Sequence, residues 1–435
     1  MATSRSSRLA RPATADKRQQ LLASARELFG ARGYAATSTH AIAKHAGVSQ
    51  ALVYRHFPSK AELFVEAVFD PFVELLDSFV EQWDISDADA SIDGITRNFA
   101  AALYSRVRGE RQLLLAAVTS HVLTGGADSE RRAIEATVAR MFARIEAEHI
   151  RAGRSHNLLH LDPPLTVRMT FAVVFAAAVF DDWLLPSLSE RPDDQSVLED
   201  LGRFVAWGAT GRPALMPIDL SRTAFTATAT VVAVEAGIEQ RAHGQRPAGS
   251  VRPLLLAAAR DLFLDNGFAA TSTRQIAHHA RVAESLLFHH FATKADLFTA
   301  AVVQPLISTL STFGADDHAS APLEQIVIDL YDRLRAERAA LDAVISSNIL
   351  QNPADNNTKA IQTELRRVFD RTAKHLVDVA AGKPDAALMA RLIFGLAFSV
   401  AVLEDLLLAG LEPAPGRERL TTEMIRFALS GATRR

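Results

Sequence analysis

The sequence predicts an all-α protein made of two tandem copies of one helical unit. Three observations carry that expectation. The chain matches itself at an offset of 234, where RQQLLASARELFGARGYAATSTHAIAKHAGV faces RPLLLAAARDLFLDNGFAATSTRQIAHHARV without a gap; from Arg18 to Val73, 29 of 56 positions are identical. The ends match at an offset of 223, where Arg168, Phe171, Asp182, Phe204 and Gly208 face Arg391, Phe394, Asp405, Phe427 and Gly431, so the whole unit is duplicated. Apolar residues also recur at helical spacing, in a composition that is 49% hydrophobic and only 7% aromatic.

A chain of 435 residues is too long for one ordinary core and about right for two. It has no cysteine, which excludes disulfide frameworks and thiolate metal sites and fits a reducing cytoplasm, the expected location. No apolar run reaches the roughly 18 residues of a membrane span. The run from Phe171 to Phe180 is closed by Asp181 and Asp182, and that from Leu392 to Leu403 lies between Arg391 and Glu404, so both read as buried core helices. The net charge of −3 hides an asymmetry: residues 1–62 hold ten Lys and Arg against three acids, a net +7, which leaves −10 for the rest. A basic head on an acidic body directs a polyanion to one end.

Along the first copy, residues 1–15 are expected to form a disordered arm, basic through Arg5, Arg8 and Arg11. It either reaches a minor groove or is a terminus without a role. Helices are expected near 16–32, 39–46, 50–56, 60–83, 91–107, 110–123, 128–153, 165–186 and 194–210. Residues 16–62 are expected to form the first helix-turn-helix domain and 63–213 the first helical body. The decisive stretch is Thr37–Phe64. Thr39 is positioned to cap a short helix whose Ile42, Ala43 and Ala46 share one apolar face. Gly47 reverses the chain, since glycine reaches positive φ without steric cost. Ser49 caps the next helix, which turns Leu52, Val53 and Phe57 inward and leaves Gln50, Ala51, Tyr54 and Arg55 outward, the face that lies in a major groove. Pro58 stops that helix, and Ser59 caps the one opened by Lys60.

The run ARELFGARGY, the pair TST and GVSQALVYRHFPSKAELF resemble the TetR family of one-component regulators. The resemblance implies a three-helix reading head on an all-helical ligand-binding body, used as a dimer on palindromic operators. It also implies that Tyr54, His56 and Lys60 contact phosphates and that Gln50 and Ala51 face base edges. The DNA-contacting set expected in the first head is Thr37, Thr39, Ser49, Gln50, Ala51, Tyr54, Arg55, His56 and Lys60. In the second it is Thr271, Thr273, Ser285, His289, His290 and Lys294.

Residues 214–249 have no counterpart after the second copy and read as a linker. Its β-branched run, TAFTATATVVAVEAG, fits a helix bracing the two copies or a strand. Residues 250–296 form the second helix-turn-helix domain and 297–435 the second body. Helices are expected there near 251–266, 273–280, 284–290, 294–312, 322–336, 338–351, 355–380, 385–409 and 416–430. The second head has drifted. Gly47 becomes Arg281, Ser49 becomes Ala283, Gln50 becomes Glu284 and Tyr54 becomes Phe288, while residues 246–296 carry six Lys and Arg against four acids, only +2. It either binds DNA with a weaker or different grip or keeps its shape without binding.

The resemblance implies a four-helix contact between the last two helices of each body; here both partners lie in one chain, so an internal pseudo-dimer is expected, with pairing between separate chains as the rival. Polar groups set among apolar residues mark candidate ligand contacts: Tyr104, His121, Asp181 and Trp183 in the first body, and Asn348, Gln351, Glu404 and Asp405 in the second. A buried carboxylate at Asp181 or Glu404 needs a partner, either an interface arginine or a ligand cation or hydroxyl. An apolar or aromatic effector is expected. No cofactor, metal or catalytic motif is expected; His156 and His160, at i and i+4, sit between Gly153 and Pro163 in an apparent loop. Two functions fit these residues. One is a ligand-released repressor on double-stranded operator DNA, and the other a ligand- or protein-binding scaffold with inert heads. The intact GVS…Y.HF…K run and the +7 head favour the first.

Overall fold

The computed structural model describes residues 13–69, 73–74, 92–115, 128–155, 162–185, 194–210, 251–315, 322–347, 356–379 and 385–433. Every regular element among the described residues is helical. The basic arm (apart from the first residues of the opening helix), the 214–249 linker, His121, His156, His160, Asn348 and Gln351 lie outside them. The first copy comprises α1 (Ala13–Ala36), α2 (Thr39–His45), α3 (Gln50–His56), α4 (Lys60–Phe64), α5 (Ile92–Gly109), α6 (Asp128–Ser155), α7 (Pro163–Val179), α8 (Asp181–Leu184) and α9 (Asp194–Thr210). Residues 111–115 are also helical. The second copy runs α10 (Val251–Ala270), α11 (Thr273–His279), α12 (Glu284–His290), α13 (Lys294–Phe298), α14 (Gln304–Ala315), α15 (Leu323–Ala336), α16 (Arg338–Ser346), α17 (Asn356–Val379), α18 (Ala386–Val402), α19 (Glu404–Leu407) and α20 (Arg417–Thr433).

The heads are built alike. Gly33 and Gly267 both sit at φ 75°, where a non-glycine residue would be strained, and break α1 and α10 near their ends. The hydroxyl of Thr37 closes that break by donating to the carbonyls of Leu28 and Gly33 at 3.1 and 2.8 Å, and Thr271 does the same to Leu262 and Gly267 at 3.0 and 2.8 Å. An aromatic knot of Phe29, Tyr34 and Phe64 fills the first head, and Phe263, Phe268 and Phe298 fill the second. A π-helical turn follows α4 (Val65–Phe69) and α13 (Thr299–Val303), at the junction of each head with its body. Arg26 spans that junction, donating to the Ala67 carbonyl at 2.9 Å and to Glu110 at 2.8 Å; Arg260 repeats it with Ala301 and Glu337, at 3.2 and 3.3 Å.

Two expected helices are shorter than their sequence pattern. The stretches 165–186 and 385–409 break at Phe180 (φ −106°, ψ 24°) and Leu403 (φ −99°, ψ 18°). Each break opens a short helix on two acids, where the positive end of the backbone dipole favours carboxylates, and arginines hold those acids from the side. Asp181 takes Arg108 at 2.5 Å and Asp182 takes Arg111 at 2.6 Å. Glu404 takes Arg335 through two bonds of 2.7 and 3.2 Å, and Asp405 takes Arg338 at 2.7 Å. The partners are therefore arginines of the same copy, reached neither across the contact between copies nor in a ligand.

The long apolar helices α7 and α18 pack on each other, and α9 packs on α20, so the two copies share one core. The contact is reciprocal. Phe204 and Phe427 meet edge to face, centroids 6.1 Å apart. A Cβ on Gly208 would fall 2.7 Å from the Phe427 ring, and one on Gly431 would fall 2.8 Å from the Phe204 carbonyl oxygen. Arg168 of α7, 2% exposed, donates to the Ala409 carbonyl of the second copy at 3.1 Å; Arg391 of α18, 1% exposed, donates to the Leu184 carbonyl of the first at 2.8 Å. Burial pushes the Arg391 guanidinium down to about 10, still charged at neutral pH.

Removing the Arg391 side chain takes the guanidinium donor from the Leu184 carbonyl, strips the second bond from the helical Ala387 carbonyl and leaves a void against Phe369. Arg391→Ala is expected to destabilise the chain by about 3 kcal/mol, read as a fall in the urea midpoint, with exposed Arg366→Ala changing it by less than about 0.5 kcal/mol. Asp342 gives a pH dependence. It is 8% exposed, lies 3.9 Å from Arg338, and burial pushes its carboxyl up to about 8. An unfolded aspartate titrates near about 3.9, so between roughly pH 4 and 8 the folded chain keeps a proton that the unfolded chain has released. That contribution to stability is present at acid pH and is lost as pH rises through about 8. Asp342→Asn is expected to flatten the decline in urea midpoint between pH 5 and 8.5; an unchanged slope would assign it elsewhere.

Candidate nucleic-acid interface and apolar cavity

In the first head α3 is held by its two ends. Ser49 accepts from the Leu52 amide at 3.3 Å, and Gly47 turns the chain at φ 64°. Val53 and Phe57 are buried, Leu52 is half-buried, and Gln50, Ala51, Tyr54 and Arg55 are exposed. Tyr54 presents half of its surface, which is exceptional among the described large hydrophobic residues. Its hydroxyl lies 3.1 Å from the Thr39 hydroxyl, to which Gln50 also donates at 3.3 Å. Thr39, at 8% exposure, thus fixes two outward side chains.

The helix before it is capped by Ser38, whose side chain accepts from the Ala41 amide at 3.1 Å, which corrects the expectation that Thr39 does so. Thr37 and Thr271 are corrections too. They are buried at 1% and 2% with both hydroxyls bonded inward, so neither reaches a ligand outside the head. Lys60 lies 4.0 Å above the Tyr34 ring beside the exposed face, and Lys294 lies 4.4 Å above Phe268. Burial lowers the Lys294 ammonium. His56 is half-buried with its Nε2 enclosed, and His290 is its half-buried equivalent, while His289 and Ser285 are exposed.

The second head keeps the frame and changes the surface. Arg281 holds φ 55°, the positive-φ conformation of Gly47, with a side chain attached. Ala283 starts α12 without a side-chain cap. Thr273 donates to the Glu284 carboxylate at 2.8 Å, reversing the direction of the Thr39–Gln50 bond, and Phe288 is half exposed where Tyr54 carries a hydroxyl.

The bodies differ as well. An apolar cavity of about 50 Å³ lies against α7, walled by Phe69, Leu114, Val138, Met141, Phe142, Phe171 and Phe175 of the first copy and closed by Leu403, Leu406 and Leu407 of the second. The polar residues singled out as ligand contacts that are described do not line it. Tyr104 is buried with its hydroxyl 3.3 Å from Arg108, Asp181 is held by arginine, and Trp183 packs tilted against Phe180 and edge-on to Phe398. Glu404 and Asp405 line a separate, open polar recess with Asp332, Arg335 and Arg338. Sequence reasoning missed the cavity because a bare carbon lining looks like any core; the paired offset of Phe171 with Phe394 was its one visible trace.

The sequence pattern described as "Bacterial regulatory proteins, tetR family" matches residues 21–67 and again residues 255–301. Over 187 residues the chain is 31% identical to the HTH-type transcriptional repressor Rv3405c of Mycobacterium tuberculosis, covering 88% of that protein and 42% of this one. The chain belongs to the tetR family. It is a tandem duplication of this helix-turn-helix regulator, and a DNA-binding one. The HTH-type transcriptional activator FasR of Mycolicibacterium smegmatis is 46% identical over 67 residues, 30% of its length and 15% of this chain. The nucleoid occlusion factor SlmA of a Marinomonas species is 45% identical over 49 residues, 25% of its length and 11% of this chain. Among the described residues, no helix of this tetR-family chain is long and apolar enough to cross a membrane.

Head stability should respond to the two drifted turn positions. Ala283→Ser restores a cap worth about 1 kcal/mol, and Arg281→Gly relieves a left-handed residue costing about 1–2 kcal/mol. Both are expected to raise amide-exchange protection across α11 and α12; lower protection in either variant would contradict this account of the turn.

Proposed function

We propose that the chain is a repressor that reads operator DNA through α3 and α12 and is released by a small apolar effector held in its first body. The observation that carries this is the exposed row on α3: Gln50, Ala51, Tyr54 and Arg55 stand outward on a helix capped at Ser49, with Lys60 beside them. Gln50 and Ala51 face base edges, and Tyr54, His56 and Lys60 engage phosphates, with Thr39 orienting Gln50 and Tyr54. Repression is taken from the relative covered along most of its length, Rv3405c, whose name describes a repressor.

The two copies act as an internal pseudo-dimer that presents both heads to one site. Supporting this, the helices α7, α9, α18 and α20 bury their apolar faces on one another within the chain, as an obligate pair of subunits does. The second head binds more weakly, since Phe288 lacks the hydroxyl and Glu284 repels phosphate. Effector release works through the junction. Phe69, in the π turn that ends the first head, is a wall of the cavity, and Arg26 ties α1 to the Ala67 carbonyl and to Glu110 beside that wall. A ligand that displaces Phe69 tilts the head that α1 and α4 carry.

The test is fluorescence anisotropy with the full chain on a site selected from genomic fragments. Lys60→Ala and Tyr54→Phe are each expected to weaken binding about tenfold. Lys60→Ala should also lower the slope of log affinity against log salt by about one. Failure to select any site, or unaltered binding by both variants, would overturn the DNA-reading assignment; two chains on one site would overturn the internal pair.

A further inference from the structure

We propose that the chain has one effector pocket, not two, because the first copy plugs the second copy's equivalent with aromatic rings, and that this pocket takes the hydrocarbon end of an alkyl chain. The inference rests on the effector reading above and specifies its stoichiometry and chemistry.

The bodies are related by the offset of 223, so Phe171 and Phe175 correspond to Phe394 and Phe398. Phe142 and Phe369 also correspond: each lies edge-on to one of these rings, at 5.5 and 5.2 Å, and beneath the buried arginine of its copy, Arg168 or Arg391. The aromatic floor of the cavity is therefore present twice. The cover is not. Over Phe175 the second copy supplies Leu403 and Leu406, and the cavity stays open beneath them. Over Phe398 the first copy supplies the matching residues, Phe180 and Trp183. Phe180 meets the Phe398 ring edge-on at 5.1 Å, Trp183 reaches it at 6.1 Å, and the two pack on each other at 5.1 Å. Leucine is replaced by a larger ring at both positions, so rings pack on Phe398 where leucines cover Phe175.

The lining names the ligand class. Among the described residues ten form the wall, every side chain a hydrocarbon except the thioether of Met141, and none of these ten offers a donor or a charge. A polar group brought there would lose its water without compensation. The volume of about 50 Å³ is roughly a third of the ~150 Å³ that admits benzene, which favours the end of a slender chain over a ring.

The experiment is calorimetric titration of the full chain with n-decanol, without DNA. One saturable site per chain is expected. Leu406→Trp, which places the second body's plug in the first, should weaken it at least tenfold with helical circular dichroism unchanged. Trp183→Leu should raise the stoichiometry to two, a gain that misfolding cannot imitate. Two sites in the natural chain, no saturable site, undiminished binding by Leu406→Trp, or a stoichiometry of one in Trp183→Leu would each overturn the proposal. If decanol binds once per chain and the DNA complex stays intact, the effector reading fails while the single pocket stands; if it releases DNA from two sites, the reverse holds.

Discussion

Two arginines buried in the middle of the molecule set the terms for the rest of it. Arg168 and Arg391 are nearly inaccessible, and each donates to a backbone carbonyl of the other copy, Ala409 or Leu184. Taking a guanidinium out of water is expensive, and it is tolerated where the site supplies fixed acceptors. Here the acceptors are the Leu184 carbonyl at the end of α8 and the Ala409 carbonyl two residues past α19, each beyond the break that follows α7 or α18, with the Glu146 carboxylate serving Arg168 as well. The break in turn requires the acid pairs at 181–182 and 404–405, held by arginines of their own copy. One buried charge thus fixes a helix end, the helix end fixes the cross-copy register, and the register brings Gly208 and Gly431 under the rings of Phe427 and Phe204.

The same register makes the cavity a joint product of both copies. Its floor is aromatic and belongs to the first body, and its cover is the short helix of the second. One wall, Phe69, belongs to the π turn through which the head is attached. A π turn carries a backbone under-wound relative to its neighbours, which makes it a place where a helix can change direction at small cost. Arg26 grips the Ala67 carbonyl in that turn and Glu110 in the body, so a change in the turn is transmitted to α1 as well as to α4. Cavity, junction and reading head form a continuous packed path.

Much of this was legible in the sequence. The duplication, the helical class and the turn chemistry of the heads follow from residues whose physics is local: Gly47 at positive φ, Ser49 as a cap, Val53 and Phe57 on one face of a seven-residue helix. Whether Arg281 would keep the glycine conformation was left open by the sequence; the structure holds it at φ 55°. Roles that depend on a distant partner were not legible. Thr37 stands in the run that suggests DNA contact, yet its hydroxyl is consumed nine residues back at Leu28. Thr39 and Ser38 are adjacent hydroxyls equally suited to capping, and only the position of Tyr54 and Gln50 in space assigns them different work. The acids at 181 and 404 announced a need for partners without saying that Arg108 and Arg335, on other helices, would meet it.

Duplication within one chain also removes a constraint that a homodimer cannot escape. When two identical subunits meet about a two-fold axis, every substitution appears on both sides, so a ring that fills one pocket fills both, and a residue that weakens one head weakens both. Here the two sides are separate positions in one sequence. Leucines at 403 and 406 coexist with Phe180 and Trp183, Gln50 with Glu284, Ser49 with Ala283. The positions that hold the copies together have not diverged in this way: Arg168 and Arg391, Phe204 and Phe427, Gly208 and Gly431 remain matched pairs. Reciprocal contacts punish a one-sided change, because each partner is packed against the other's equivalent. Pockets and reading surfaces carry no such penalty. Symmetry is retained at the buried arginines and where Phe204 and Phe427 cross, and is lost at the cover of the cavity and on the outward faces of the heads.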